Sequence, residues 1–217
     1  MKYLRYFYYI ASNWSLMIAV HLIYHEIRGE KKYKIDTTGA DELQEMEEKG
    51  IDISHATMYM PAGYKMLEDF FSRISAKHLV DFGCGKGRVL CVAPHFGIKK
   101  VTGIDFSKEF CTDAKINLEN IKIAMPDLEY KVCNNDAFYF DIPEDADCLF
   151  FFNPFDEMIM SGVIENIQIS LEEFPRPITV IYFNPLHKKL FEQIGFKEVY
   201  YSRKLKYLEG SIMKNPA

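Results

Sequence analysis

Three glycines at alternate positions, Gly83, Gly85 and Gly87, follow directly on the short apolar run from His78 to Phe82. A strand that ends in Asp81-Phe82-Gly83-Cys84-Gly85-Lys86-Gly87-Arg88 leaves its sheet through a tight turn with no Cβ atoms in the way, which lets backbone amides close on a bound ligand. Open α/β sheets make this demand, because they bind ligands at the carboxyl ends of their strands, where the strand order reverses. The spacing excludes two other cofactor loops. A dinucleotide fingerprint needs Gly-x-Gly-x-x-Gly, and Arg88 stands where its third glycine belongs; a Gly-x-x-x-x-Gly-Lys-Ser/Thr phosphate loop is also missing.

The rest of the chain reads as the same architecture. A helical segment from about Pro61 to Ile74 leads into short apolar runs separated by amphipathic helical stretches. The runs are 78–82, 100–105, 129–134, 148–152 and 178–183, with a closing pair near 198–202 and 205–212. Strands alternating with helices predict a doubly wound α/β fold: a mostly parallel seven-stranded sheet covered on both faces, with an antiparallel C-terminal hairpin strand. A length of 217 residues suits one such domain, and 48% apolar with 26% charged residues excludes a disordered tail, a collagen-like fibre and a polytopic membrane protein. Five cysteines, an odd number with no Cys-x-x-Cys pair, indicate neither a disulfide framework nor a zinc ribbon, so a reducing cytoplasm is the expected compartment. His78, His95 and His187 show no ligand spacing with carboxylates or cysteines, and no metal site is expected.

Residues 1–55 read as an N-terminal helical extension and linker, and 56–217 as the main domain. Leu4, Phe7, Ala11, Trp14, Ile18, Leu22 and His25 fall at helical spacing, with further apolar residues on the other faces. Such a helix packs on the domain or a partner, with attachment to a membrane surface as the alternative; the uncharged run from Tyr6 to Val20 is too short for a spanning segment. Arg28 to Asp41 reads as a linker ending at a helix cap near Thr38 or Asp41. Charge is uneven: residues 1–126 carry a net +1, 127–175 a net −11 and 176–217 a net +5. The acidic middle repels a phosphate backbone and attracts a cation.

Each apolar run ends in residues with chemical potential. Asp105 closes the second, 20 residues after Gly85, where a carboxylate accepts hydrogen bonds from the vicinal hydroxyls of a ribose. Asp136 follows the third, suited to an adenine amino group, and Asn153-Pro154-Phe155 follows the fourth. These four stations in this order resemble the seven-stranded S-adenosylmethionine-dependent methyltransferases over residues 57–213. The resemblance implies a donor-binding set of Tyr59, Asp81, Gly83, Cys84, Gly85, Gly87, Asp105, Phe106, Asp136 and Ala137. Asp81, Gly83 and Gly85 then serve the methionine end, Asp105 the ribose and Asp136 the adenine. Upstream, Tyr59-Met60-Pro61 and Tyr64 are similar to a segment of the seven-stranded protein-lysine methyltransferases, which include the non-SET histone-lysine type and mitochondrial relatives acting on small membrane proteins; there the segment folds over the donor.

Methyl transfer is an in-line displacement, so the nucleophile's lone pair must be held on the sulfur–carbon axis. The side-chain oxygen of Asn153 and the carbonyl of Pro154 are suited to accept the two hydrogens of an amine, with Phe155 offering an apolar face. In the family an Asn-Pro-Pro-Tyr/Phe motif marks amine acceptors; this chain lacks one of the prolines, which leaves the identity of the amine open. A protein lysine fits the acidic block, with Asp156 and Glu157 as candidate proton acceptors. Adenine in RNA or DNA is the alternative, supported by Lys188, Lys189, Arg203, Lys204 and Lys206; a small-molecule acceptor and a non-catalytic donor-binding module are the others. Asn184-Pro185 repeats the Asn-Pro pair after the fifth strand, where a turn explains it.

Overall fold

The strands form where the sequence offers short runs of residues that can be buried on both sides. The computed structural model describes residues 2–13, 15–38, 60–152, 154–204 and 208–216. Seven strands, β1 (His78–Phe82), β2 (Lys100–Asp105), β3 (Glu129–Asn134), β4 (Cys148–Phe152), β5 (Thr179–Phe183), β6 (Lys197–Lys204) and β7 (Leu208–Lys214), make one sheet in the order β3-β2-β1-β4-β5-β7-β6. β1 is parallel to β2 and β4, with Phe82 opposite Ile104 on one side and Phe151 on the other. β7 is antiparallel to both of its neighbours, β5 and β6, so it alone runs against the sheet.

β1 and β5 are buried at every position; β5 is apolar after Thr179, and β1 carries His78 and Asp81 among its apolar residues. Alternate residues feed two cores. Leu79, Phe150, Ile181 and Phe183 face one layer, formed by α3 (Tyr64–Phe71), α4 (Arg88–Val92) and α5 (Lys108–Ala124). Val80, Phe82, Phe151 and Tyr182 face the other, formed by α6 (Glu157–Glu173) and α7 (Lys188–Gln193).

The N-terminal region differs from the single helix and linker expected. Two helices, α1 (Lys2–Asn13) and α2 (Leu16–Tyr33), meet at a break where the Ser15 hydroxyl accepts from the Ile18 amide at 3.2 Å. A serine placed there caps a new helix rather than continuing the old one. α2 then runs five residues past Arg28, to Tyr33, through the stretch whose Gly, Lys and Thr content suggested a linker. Gly29 explains it. A Cβ at that position would lie 2.1 Å from Tyr64 Cδ2, so glycine is there for close packing and not as a breaker. The expected cap at Asp41 lies outside the described residues.

Candidate active site

β1 and β4 are adjacent, yet the chain leaves β1 towards β2 on one side and reaches β4 from β3 on the other. The crevice at their carboxyl ends is therefore the point where the strand order reverses, and the glycine loop stands over it. Gly83, Gly85 and Gly87 have φ of 76°, 51° and 80°, a left-handed backbone that other residues adopt at a cost. A Cβ on Gly83 would come within 2.7 Å of the Pro154 Cβ, so this glycine also lets the loop after β4 close against the loop after β1.

The loop amides are used differently from the sequence expectation. Gly83 and Cys84 both donate to the Ile104 carbonyl at 2.9 Å, Gly85 donates to Asp105 Oδ2 at 2.8 Å, and Gly87 donates to the Cys84 carbonyl at 2.9 Å. These four amides tie the loop to β2 and to itself instead of pointing at a ligand. The loop therefore offers the crevice acceptors, carbonyl and carboxylate oxygens. A pyrophosphate needs donors, whereas the ammonium and sulfonium of S-adenosylmethionine need acceptors, so this lining fits the latter.

The two carboxylates reinforce the fit. Asp81 is buried at the end of β1, and its Oδ2 has no hydrogen-bond partner among the described residues. Burial, then the neighbouring charge of Asp105, push its carboxyl well above the usual range. A cationic ligand supplies what this oxygen lacks. Asp105 is also buried and accepts from Ser107 N at 2.9 Å and Gly85 N at 2.8 Å. Burial pushes it up to about 6 in spite of those two bonds. Asn134, overlooked in the sequence beside Asp136, donates its Nδ2 to the carbonyls of Asp105 and Phe106 at 3.1 and 2.7 Å and so fixes the backbone of this corner. Phe106 itself is half-buried.

The remaining predicted residues divide. Asp136 is exposed at the mouth and caps a 3-10 turn, with Oδ1 accepting from Phe138 N at 2.9 Å; Ala137 behind it is buried. The Cys84 side chain packs at Gly103, where a Cβ would lie 2.8 Å from its sulfur. Burial, followed by the charge of Asp105, pushes that thiol well up, so Cys84 contributes backbone and no nucleophile. Phe155 does not present the apolar face expected of it: its ring is buried in the core with Phe151 and Met160. Phe152, the last residue of β4, lines the neighbouring cavity instead. Asp156 caps α6, accepting from Ile159 N at 3.0 Å. Tyr59 and Asn153 lie outside the described residues. Among the described residues no three of His, Cys, Asp and Glu come together as metal ligands.

A cavity of about 550 Å³ adjoins the crevice. Its floor is the carboxyl ends of β4 and β5, at Phe152 and Phe183, and its walls include Met60 and Pro61 on one side and Ile18 and Leu22 of α2 on the other. The expectation that an N-terminal helix packs on the domain fits this wall, but what holds it is not visible in local sequence. Arg88, first residue of α4, is 3% exposed. Its Nε donates to Thr37 Oγ1 at 2.7 Å, and Nη1 to Glu26 Oε2 at 2.8 Å and the Ala62 carbonyl at 3.1 Å. Nη2 donates to Glu26 Oε1 and, at 3.3 Å, to Glu30 Oε1. Thr38 and Tyr64 hydroxyls satisfy the same carboxylates at 2.8 and 2.9 Å, and the guanidinium lies 4.2 Å from the centre of the Tyr64 ring. The residue that rules out a dinucleotide loop thus anchors α2 to the end of the glycine loop.

A family model described as a methyltransferase domain matches residues 80–174, from β1 to the end of α6. Those residues match a methyltransferase domain. Solved structures of methyltransferases share its fold. The ribosomal protein L11 methylase of Lactobacillus delbrueckii subsp. bulgaricus superposes with a TM-score of 0.51 at 16% identity, over 70% of this chain and 79% of that one. An RNA methyltransferase from Salinibacter ruber, solved in complex with S-adenosyl-L-homocysteine, gives 0.50 at 15% identity over 72% and 94%. A StiE O-MT segment gives 0.54 at 13% over 70% and 74%. The curated proteins contain no match to this chain. The expected donor residues Asp81 and Asp105 both stand at this crevice, and the cavity beside Phe152 adjoins it.

Proposed function

We propose that this methyltransferase methylates an amine nitrogen and that the amine is the side chain of a lysine in a protein. The observation that carries the reading is the cavity at the end of β4. Its lining is mostly aliphatic and aromatic, which suits a four-carbon stem, with Lys65, Lys204 and Glu209 among its polar members. When bound, S-adenosylmethionine supplies an electrophilic methyl carbon on a sulfonium. The Asn-Pro pair after β4 assigns the amine's two hydrogens to Asn153 and the Pro154 carbonyl by residue type alone. Met60, Pro61 and Tyr64, from the segment similar to the protein-lysine methyltransferases, line the same cavity.

The nucleic-acid reading is weakened by the pairing of the C-terminal cations. Lys188 pairs with Glu198 at 3.1 Å, Lys204 with Asp69 at 3.4 Å and Arg203 with Glu209 at 3.9 Å, so three of the five residues that favoured phosphate contact already face carboxylates. Transfer of labelled methyl into nuclease-treated and protease-treated cell extract tests the reading. Label that survives nuclease and is lost with protease is expected; label lost with nuclease refutes it. Asn153→Ala should abolish transfer while S-adenosylhomocysteine still binds.

A further inference from the structure

The N-terminal helices have a second face. α1 and α2 meet through Tyr6, Ile10, Ile18 and Ala19. Away from that seam Leu4 and Tyr8 on α1, and Leu16, Met17, Val20 and Tyr24 on α2, stand 57–68% exposed. Met17, Val20 and Tyr24 follow one another at helical spacing, and the same stripe continues into Arg28 and Lys31, both exposed. No acidic residue precedes Glu26 in the chain, and Glu26 is buried under Arg88. The face is therefore apolar at one end and cationic at the other.

We propose that this face seats the protein on an anionic lipid surface. The apolar stripe runs about 10 Å along α2 from Met17 to Tyr24, and a helix lying in the interface buries such a face to a depth of roughly 5–10 Å. Arg28 and Lys31 continue the same face by about one and two turns, within reach of lipid phosphates. No described helix is long and apolar enough to cross a membrane, so the face rests on the bilayer and does not span it. Charge elsewhere agrees with this orientation. Glu157, Glu165, Glu172 and Glu173 lie on α6, which covers the opposite face of the sheet from α2, where a negative surface would not meet them. The seat stands whichever acceptor is methylated, since it uses the outer side of a hairpin whose inner side walls the cavity.

Flotation of the full chain with vesicles tests it. The chain should float with phosphatidylcholine containing roughly 30% phosphatidylglycerol, much less with phosphatidylcholine alone, and release as salt is raised. The double variant Met17→Glu/Val20→Glu should lose at least about tenfold in partitioning. Arg28→Gln/Lys31→Gln should erase the preference for anionic vesicles. Calorimetry with S-adenosylhomocysteine should be unchanged in both, which separates loss of the seat from loss of the fold. Failure of the wild-type chain to float with anionic vesicles, or equal flotation of the glutamate variant, overturns the proposal. So does sedimentation showing a dimer that those glutamates dissociate, an outcome that assigns the face to a second copy.

Discussion

Arg88→Met tests how far α2 belongs to the catalytic unit. The arginine is almost wholly buried and faces two carboxylates, Glu26 and Glu30, with bonds to Thr37 and Ala62 as well. Methionine fills much of the volume but takes the guanidinium away from two buried acids, and removing one partner of a buried pair costs about 3–5 kcal/mol. For a chain of this length each kcal/mol shifts the melting temperature by roughly 2–4 °C, so a fall of roughly 10 °C is expected at neutral pH. The triple variant Arg88→Met/Glu26→Gln/Glu30→Gln should recover part of the stability, since it removes the carboxylate charges with the arginine. Scanning fluorimetry, with S-adenosylhomocysteine titrated into each variant, reads all of this. A shift smaller than about 2 °C in Arg88→Met, or a triple variant less stable than the single one, would refute the reasoning. Methyl transfer should fall more than donor binding, because α2 walls the cavity and not the crevice.

Two further predictions concern the donor site. If Asp105, held at about 6, meets ribose hydroxyls, it accepts from them more strongly when charged, so S-adenosylhomocysteine should bind more weakly as pH falls through that value, and Asp105→Asn should flatten the dependence. The same carboxyl lies above its unfolded value of about 3.9, so the folded state binds more protons between the two. Ligand-free protein should therefore lose up to about 3 kcal/mol relative to Asp105→Asn as pH rises across that window, measurable by denaturation at several pH values. Gly83→Ala adds a Cβ 2.7 Å from Pro154 at a φ of 76°; a loss of about 1–2 kcal/mol from the backbone alone is expected, with the loop after β4 displaced and methyl transfer abolished. Wild-type turnover in that variant would contradict the packing described.

The strands were legible because short runs with apolar centres end in turn residues: those at 78–82, 100–105, 129–134 and 148–152 coincide with β1 to β4, although β3, at the sheet edge, is mostly exposed. The glycine spacing fixed a tight turn at the carboxyl end of β1, and the acids at the strand ends lie around it. Spacing does not determine which way a loop's amides face, and here they turn to Ile104 and Asp105. Gly29 read as a breaker because the sequence does not display the Tyr64 ring that requires it. Arg88 was informative only for what it excluded, since its partner Glu26 lies 62 residues away and no local period announces such a pair. Phe152 and Phe155, two aromatics three apart, could not be told apart until the strand end showed which one faces the core.

The position of β7 bears on how the chain is made. β6 is synthesised before β7, yet its sheet neighbour is β7, and β7 is also what covers the far edge of β5. Until Leu208–Lys214 has left the ribosome, the wholly buried segment Thr179–Phe183 has an open flank of unpaired amides and carbonyls. A nascent chain halted between β6 and β7 thus carries a short, uncharged, β-branched and aromatic edge of the kind that joins strands from other chains, and its safe handling depends on the rate at which about ten more residues are added.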